Sequence, residues 1–233
     1  MQRAYYKRTA LRYDDMHLRE NDEHYRAMRL MMSFFDELGC QSVLDIGSGT
    51  GRLIRELKCR FPDLRVIGVE PSPELRAEGH NLGIPSDELI DGDAQALHFD
   101  DRSFDIVCEF GSLHHIPQPT LAVREMLRVA RRAIFISDSN NFGQGNAFIR
   151  AIKQAINTVG LWPFANWLKN GGKHYILSEG DGLAYSYSVF NDYEMISRHC
   201  SEVLILNTNG KATNLYRQAP HVALLGLMRE IDQ

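Results

Sequence analysis

The sequence predicts an α/β protein built on a doubly wound, mostly parallel sheet of seven strands with helices on both faces. Three observations carry the prediction. The run Val43-Leu44-Asp45-Ile46 breaks into Gly47, Gly49 and Gly51 and then into a helical pattern, so a buried strand turns sharply into a helix. A second run, Val66-Ile67-Gly68-Val69, ends in Glu70, 19 residues after Gly51. That spacing is near the ~20 residues that separate a glycine turn from a ribose-binding acid in a strand-helix-strand unit. Short apolar strands and helical segments then alternate as far as residue 137. Such alternation is the pattern of a parallel sheet covered on both faces.

Taken in order, residues 1–20 are charged but carry Tyr5, Tyr6, Leu11, Tyr13 and Met16 at near-helical spacing, which predicts a helical arm packed on the body. Residues 22–38 follow as a helix with Tyr25, Met28, Met32, Phe35 and Leu38 on one face, ended by Gly39. The helix after the glycines places Leu53, Ile54 and Leu57 on one face and stops at Pro62. Beyond Glu70, Pro71-Ser72-Pro73 forms a stiff junction in which Ser72 caps the next helix and Pro73 opens it; Gly79 and Gly83 then cut that helix short. Leu89-Ile90 is a brief third strand, closed by Asp91-Gly92-Asp93-Ala94. Residues 104–108 read as a central strand, buried on both faces. The helix over residues 119–130 buries Val123, Met126, Leu127 and Ala130 and turns Arg124, Glu125, Arg128 and Arg131 to water. Residues 133–137 are the fifth strand. Glycines and asparagines then punctuate residues 139–188 around two helical pieces, near 147–159 and 161–168. This stretch exceeds an ordinary connection and reads as an inserted lid. Asn191 with Glu194 has the spacing of a capping box, and residues 203–206 and 222–227 complete the sheet.

Whole-chain properties narrow the function classes. The 233 residues carry 26 basic and 30 acidic side chains, a net charge of −4, so no overall basic field draws the chain onto nucleic acid or an anionic surface. The four cysteines lie far apart with no C-x-x-C pair, which argues against a zinc site and fits a reducing cytoplasm. The N-terminus lacks an apolar leader, and nowhere do eighteen apolar residues run together, so neither secretion nor a membrane span is expected. A single domain is expected, with residues 1–38 as its arm and 139–188 as its lid.

Asp45-Ile46-Gly47-Ser48-Gly49-Thr50-Gly51 resembles the first motif of the class I S-adenosylmethionine-dependent methyltransferases, whose fold is Rossmann-like with an antiparallel last strand. Glu70, Gly92-Asp93-Ala94, and Phe104-Asp105-Ile106-Val107 leading to Leu113-His114-His115 follow in that family's order, over roughly residues 40–137. The resemblance implies that Asp45, Gly47, Ser48, Gly49 and Gly51 form the loop against which the cofactor lies. It places Glu70 and Pro71 at the ribose, and Asp93 and the Ala94 N–H at adenine. By the same resemblance Tyr13, in a Tyr-Tyr…Ala…Tyr-Asp stretch like the family's, is the candidate cover of the cofactor, and Glu109 either flanks the cofactor or orients a substrate.

His114 and His115 stand where that family faces the methyl group, and either could accept a proton near neutral pH. A purely structural Leu-His-His-Ile turn is the competing reading. No metal is expected, because methyl transfer from a sulfonium is a displacement that needs positioning and the removal of one proton. The lid aromatics Trp162, Phe164, Trp167, His174, Tyr175, Tyr185 and Tyr187 are candidates for the acceptor pocket. The expected activity is methyl transfer from S-adenosylmethionine, leaving S-adenosylhomocysteine, to oxygen or nitrogen of a small-molecule acceptor. The alternatives are a tRNA or protein methyltransferase, or a silent cofactor-binding partner protein.

Overall fold

The computed structural model describes residues 2–17, 22–178 and 180–229; residues 1, 18–21, 179 and 230–233, which fall in the arm, the lid and the C-terminus, lie outside the described residues. The strands are β1 (Ser42–Ile46), β2 (Arg65–Val69), β3 (Leu89–Ile90), β4 (Phe104–Phe110), β5 (Ala130–Ser139), β6 (Tyr175–Ser178), β7 (Gly182–Tyr185), β8 (Cys200–Leu206) and β9 (His221–Met228). Seven pair into one sheet in the order β3-β2-β1-β4-β5-β9-β8, with β4 at its centre. The pairs from β3 to β5 are all parallel, and β9 runs antiparallel to both β5 and β8. The last strand is therefore antiparallel as expected, but it is inserted between β5 and β8 and is not itself an edge. β6 and β7 form a separate antiparallel hairpin.

The helices are α1 (Gln2–Thr9), α2 (Tyr13–His17), α3 (Glu23–Met32), α4 (Arg52–Arg60), α5 (Pro73–Asn81), α6 (Pro119–Val129), α7 (Ala147–Thr158), α8 (Trp162–Lys169), α9 (Tyr193–His199) and α10 (Leu215–Gln218). β1 buries all five of its residues and β4 all but Phe110. Each strand feeds both faces because successive side chains point to opposite sides. Val43, Val66, Ile106 and Phe135 pack with α3 and α4, whereas Leu44, Ile46, Val107 and Ile134 pack with α6 and α9.

Several expectations are corrected by packing. α3 ends at Met32, and residues 33–39 continue as turns; Met31 rather than Met32 is the fully buried methionine. α5 is not broken at Gly79 but runs through it to Asn81. A Cβ on Gly79 would meet Leu89 Cδ2 at 2.4 Å and the Thr50 carbonyl oxygen at 3.0 Å, so this glycine permits close contact rather than ending the helix. Asn191 caps nothing. The turn before α9 is capped by Ser188 bonding the Phe190 N–H, and Asp192, ahead of α9, accepts instead from Thr120 and Tyr187. The hairpin β6–β7 was not anticipated.

Arg128 does more than solvate a helix face, and Ala130 and Arg131, expected on that helix, belong to β5 because the helix ends at Val129. Arg131 and Arg132 meet the buried Asp105. Arg128 donates to Glu125, to Asp101 and to the carbonyls of Leu97 and Phe99, pinning the loop ahead of β4. Arg128→Ala leaves two carbonyls and two acids without that donor. Given its partial exposure, we expect a loss of about 2 kcal/mol in denaturant unfolding, with Arg124→Ala, on an exposed side chain, near zero.

Candidate functional site

The carboxyl ends of β1, β2, β3 and β4 open onto a crevice, the place where open α/β sheets hold ligands. It has two connected parts, whose common walls include Tyr6, Tyr13, Gly47, Phe110, Gly111 and His115. One part, about 390 Å³, is lined by Glu70, Pro71, Asp93 and Ala94. The other, about 150 Å³, is lined by Asp45, Ser48, Gly49, His114 and Asp181. The larger falls in the ~300–1,000 Å³ range of small-molecule pockets.

The glycine loop works by shape rather than by free N–H groups. Gly47 and Ser48 donate to the Val69 carbonyl at 2.8 and 3.1 Å, Gly51 to Ser48, and Gly49 to Glu70 Oε2 at 3.0 Å. All four of these N–H groups are therefore spent on partners inside the protein. Gly47 has φ +67°, and a Cβ there would fall 2.3 Å from Ser112 Cβ, so the turn admits no side chain. Gly51 lies outside the crevice, beneath Ile84.

Glu70 clamps two loops, accepting from Gly49 N–H with Oε2 and from Ser72 N–H at 2.8 Å with Oε1. Burial pushes its pKa up to about 7 against the lowering effect of those bonds. Asp45, which accepts from Ser48 Oγ at 2.6 Å, is raised to about 7 for the same reason. Asp93 is exposed, and its two oxygens hold Gln95 Nε2 at 3.1 and 3.2 Å. Glu109 does not flank the crevice. β4 runs on to Phe110, so Glu109 is fully buried, accepting from Ser112, Leu113 and Ser137, and Phe110 and Gly111 form the wall instead.

The arm lies over this floor. Tyr13 sits against Gly49, close enough that a Cβ on that glycine would be 3.3 Å from its ring. Asp14 holds Thr50 and Arg55, and Asp22 holds Arg52, so the middle of the arm is tied at two points to the loop and to α4.

His114 and His115 follow β4 as a 3-10 turn, with ring centroids 4.0 Å apart. His114 Nδ1 is 2.7 Å from Asp138 Oδ1, and His115 Nδ1 donates to the Leu183 carbonyl at 2.6 Å. Both Nε2 atoms face Asp181, at 3.5 Å from His114 and 3.4 Å from His115. Burial works to lower the His114 pKa, but the Asp138 and Asp181 carboxylates outweigh it and hold it well above the ordinary histidine value. Asp181, Asp138 and His24 are site residues that the sequence alone does not mark, and Tyr6, read there only as an arm aromatic, joins them. Asp181 carried one signal, an acid between Gly180 and Gly182, and Asp138 another, an acid ending an apolar strand. Among the described residues, His114, His115 and Asp181 bring one donor atom each within 4.8 Å of one another and could grip a metal ion.

Residues 139–188 are anchored at both ends. Asn140 and Ser188 are fully buried and bonded to each other, and Phe142 and Tyr187 are buried beside them. Between these ends, a cavity of about 590 Å³ is lined by Trp162, His174, Tyr185 and Tyr187 from the segment together with Phe190 and Tyr216. Phe164 and Trp167, expected as lining, are exposed.

The crevice lies at the carboxyl edge of a doubly wound sheet, the place where such folds take nucleotide-type ligands. Residues 44–135 match the family model described as "Methyltransferase domain". That match makes residues 44–135 similar to a methyltransferase domain, within a chain whose sheet has the Rossmann-like methyltransferase fold. It is 40% identical over 93 residues to a demethylmenaquinone methyltransferase of Roseiflexus castenholzii, a match covering 40% of this chain and 39% of that protein. Over 127 residues it is 31% identical to a phosphatidylethanolamine N-methyltransferase of Cereibacter sphaeroides, covering 51% of this chain and 61% of that one. A plantazolicin methyltransferase, solved with a triazolic desmethylPZN analog and SAH, shares the fold at TM-score 0.61 and 14% identity, with 98% and 94% of the two chains covered.

Proposed function

We propose that this protein transfers a methyl group from S-adenosylmethionine to oxygen or nitrogen of a small-molecule acceptor. One observation carries the reading: the glycine turn, Glu70, Asp93 and Ala94 line one continuous crevice at the carboxyl edge of the sheet. Tyr13 closes the cofactor from above, Glu70 accepts from the ribose hydroxyls, and Asp93 exchanges Gln95 for the adenine amino group. The names of the relatives, which methylate demethylmenaquinone and phosphatidylethanolamine, support a small and partly apolar acceptor.

The two histidines divide the remaining work. His114, held protonated by its carboxylate neighbours, orients Asp181. His115, whose Nδ1–H is fixed on Leu183 and whose Nε2 faces Asp181, stands with that carboxylate as the pair that takes the acceptor's proton. The three residues act on a proton in this reading, because a metal ion there would add positive charge beside the sulfonium.

Proton linkage tests the cofactor site. Without ligand, Glu70 and Asp45 reduce stability as pH rises from the ordinary carboxylate value of about 4 toward 7, since the unfolded chain ionises first. Ribose hydroxyls donating to Glu70 favour its ionised form. S-adenosylhomocysteine should therefore bind more tightly as pH rises from about 5.5 to 7.5 and release protons at pH 6.5, as read by calorimetry in buffers of different ionisation enthalpy. Binding without pH dependence or proton release would remove Glu70 from the ribose site.

A further inference from the structure

Of the thirteen large hydrophobic side chains that stand exposed among the described residues, ten lie between Phe148 and Leu177. α7 has the apolar spacing of a core-facing helix, with Phe148, Ile152 and, just past its end, Val159 along one side, yet it buries no residue. Phe164 and Leu168 of α8 are 61% and 65% exposed. A soluble surface rarely concentrates apolar side chains this way unless something covers them.

The charge on the same stretch is one-sided. From residue 139 to 178 the chain carries Arg150, Lys153, Lys169 and Lys173 and no acid, although the whole chain is at −4. Apolar and aromatic side chains set among cations are the composition of segments that lie in the headgroup layer of an anionic bilayer. A second copy is the poorer cover, because a two-fold contact presents the same cations to each other. α8 also has two sides: Trp162 and Asn166 wall the aromatic cavity, while Phe164 and Leu168 face outward.

We propose that α7, α8 and β6 form a membrane-docking face that seats on anionic lipid, and that the acceptor is an amphiphile passed from the bilayer into the aromatic cavity. The acceptor half of this statement rests on the methyltransferase reading; the docking half does not. Docking buries the outward side chains in the headgroup layer, so the cavity opens beside its source of substrate.

The test is flotation of the full chain with vesicles of phosphatidylcholine alone or with about one third phosphatidylglycerol. Wild type should float with the anionic vesicles and only weakly with the neutral ones. Phe148→Ser combined with Leu168→Ser should abolish flotation. Lys169→Gln combined with Lys173→Gln should weaken it by more than tenfold, at about fivefold per cation. S-adenosylhomocysteine affinity, measured on the same variants, should not change, since neither pair lines the crevice. Normal S-adenosylhomocysteine binding without flotation would overturn the docking face and leave the proposed function intact. A dimer in sedimentation velocity that the Phe148/Leu168 pair dissociates would overturn it too, by making this face a self-contact.

Discussion

His115→Ala should lower methyl transfer by roughly 10²–10⁴ while S-adenosylhomocysteine affinity stays within about twofold, the pattern of a group that acts in the transition state. The expectation follows from how the two rings are held. His114 has Asp138 on Nδ1 and Asp181 near Nε2, which keeps it charged, whereas His115 has its Nδ1 proton fixed on a backbone carbonyl. His114→Gln should cost less, because its part is to orient Asp181. The assay is transfer of labelled methyl into an organic-extractable product, with cofactor affinity measured alongside. Equal loss of turnover and cofactor affinity in His115→Ala would mark the pair as structural. Loss of wild-type turnover on chelation, restored by zinc, would make the three residues metal ligands instead.

Gly47→Val should remove cofactor binding altogether and destabilise the protein by more than about 2 kcal/mol. The left-handed backbone alone costs a non-glycine about 1–2 kcal/mol. The added Cβ would also lie 2.3 Å from Ser112, which cannot step aside cheaply because it is bonded to Glu109 and to the Ile46 carbonyl. Gly83→Ala is the matched control, with φ +94° and no atom within 4 Å of the new Cβ, so it carries the backbone cost alone. Thermal melts and calorimetry on both variants separate the two costs. Cofactor binding by folded Gly47→Val at wild-type strength would refute the role of the turn.

The sheet was legible because its information is local. Val43 to Ile46, Val66 to Val69 and residues 133–137 are apolar runs bounded by glycine, proline or charge, and nothing in the tertiary structure overrides them. Glu70 and Gly47 were legible for a related reason, since a strand end and a glycine turn fix where each must sit. What failed depended on partners distant in sequence. Gly79 looked like a helix breaker until Leu89 was seen against it, and Arg128 looked solvated until the loop at residues 97–101 folded under it. The apolar pattern ends β4 at residue 108, whereas the strand runs on to Phe110 and carries Glu109 into the interior. Asp181 is 66 residues beyond His115 in an unanticipated hairpin, so no spacing rule could join them.

The central claim is that the crevice holds S-adenosylmethionine with Glu70 at the ribose, and the most direct measurement is calorimetric titration of S-adenosylhomocysteine into wild type and Glu70→Ala at pH 7.5. The account predicts saturable one-to-one binding to wild type, weakened in the variant by about 1.5–3 kcal/mol, the worth of hydrogen bonds to a charged group. No binding to wild type, or equal affinity in the two proteins, would contradict it.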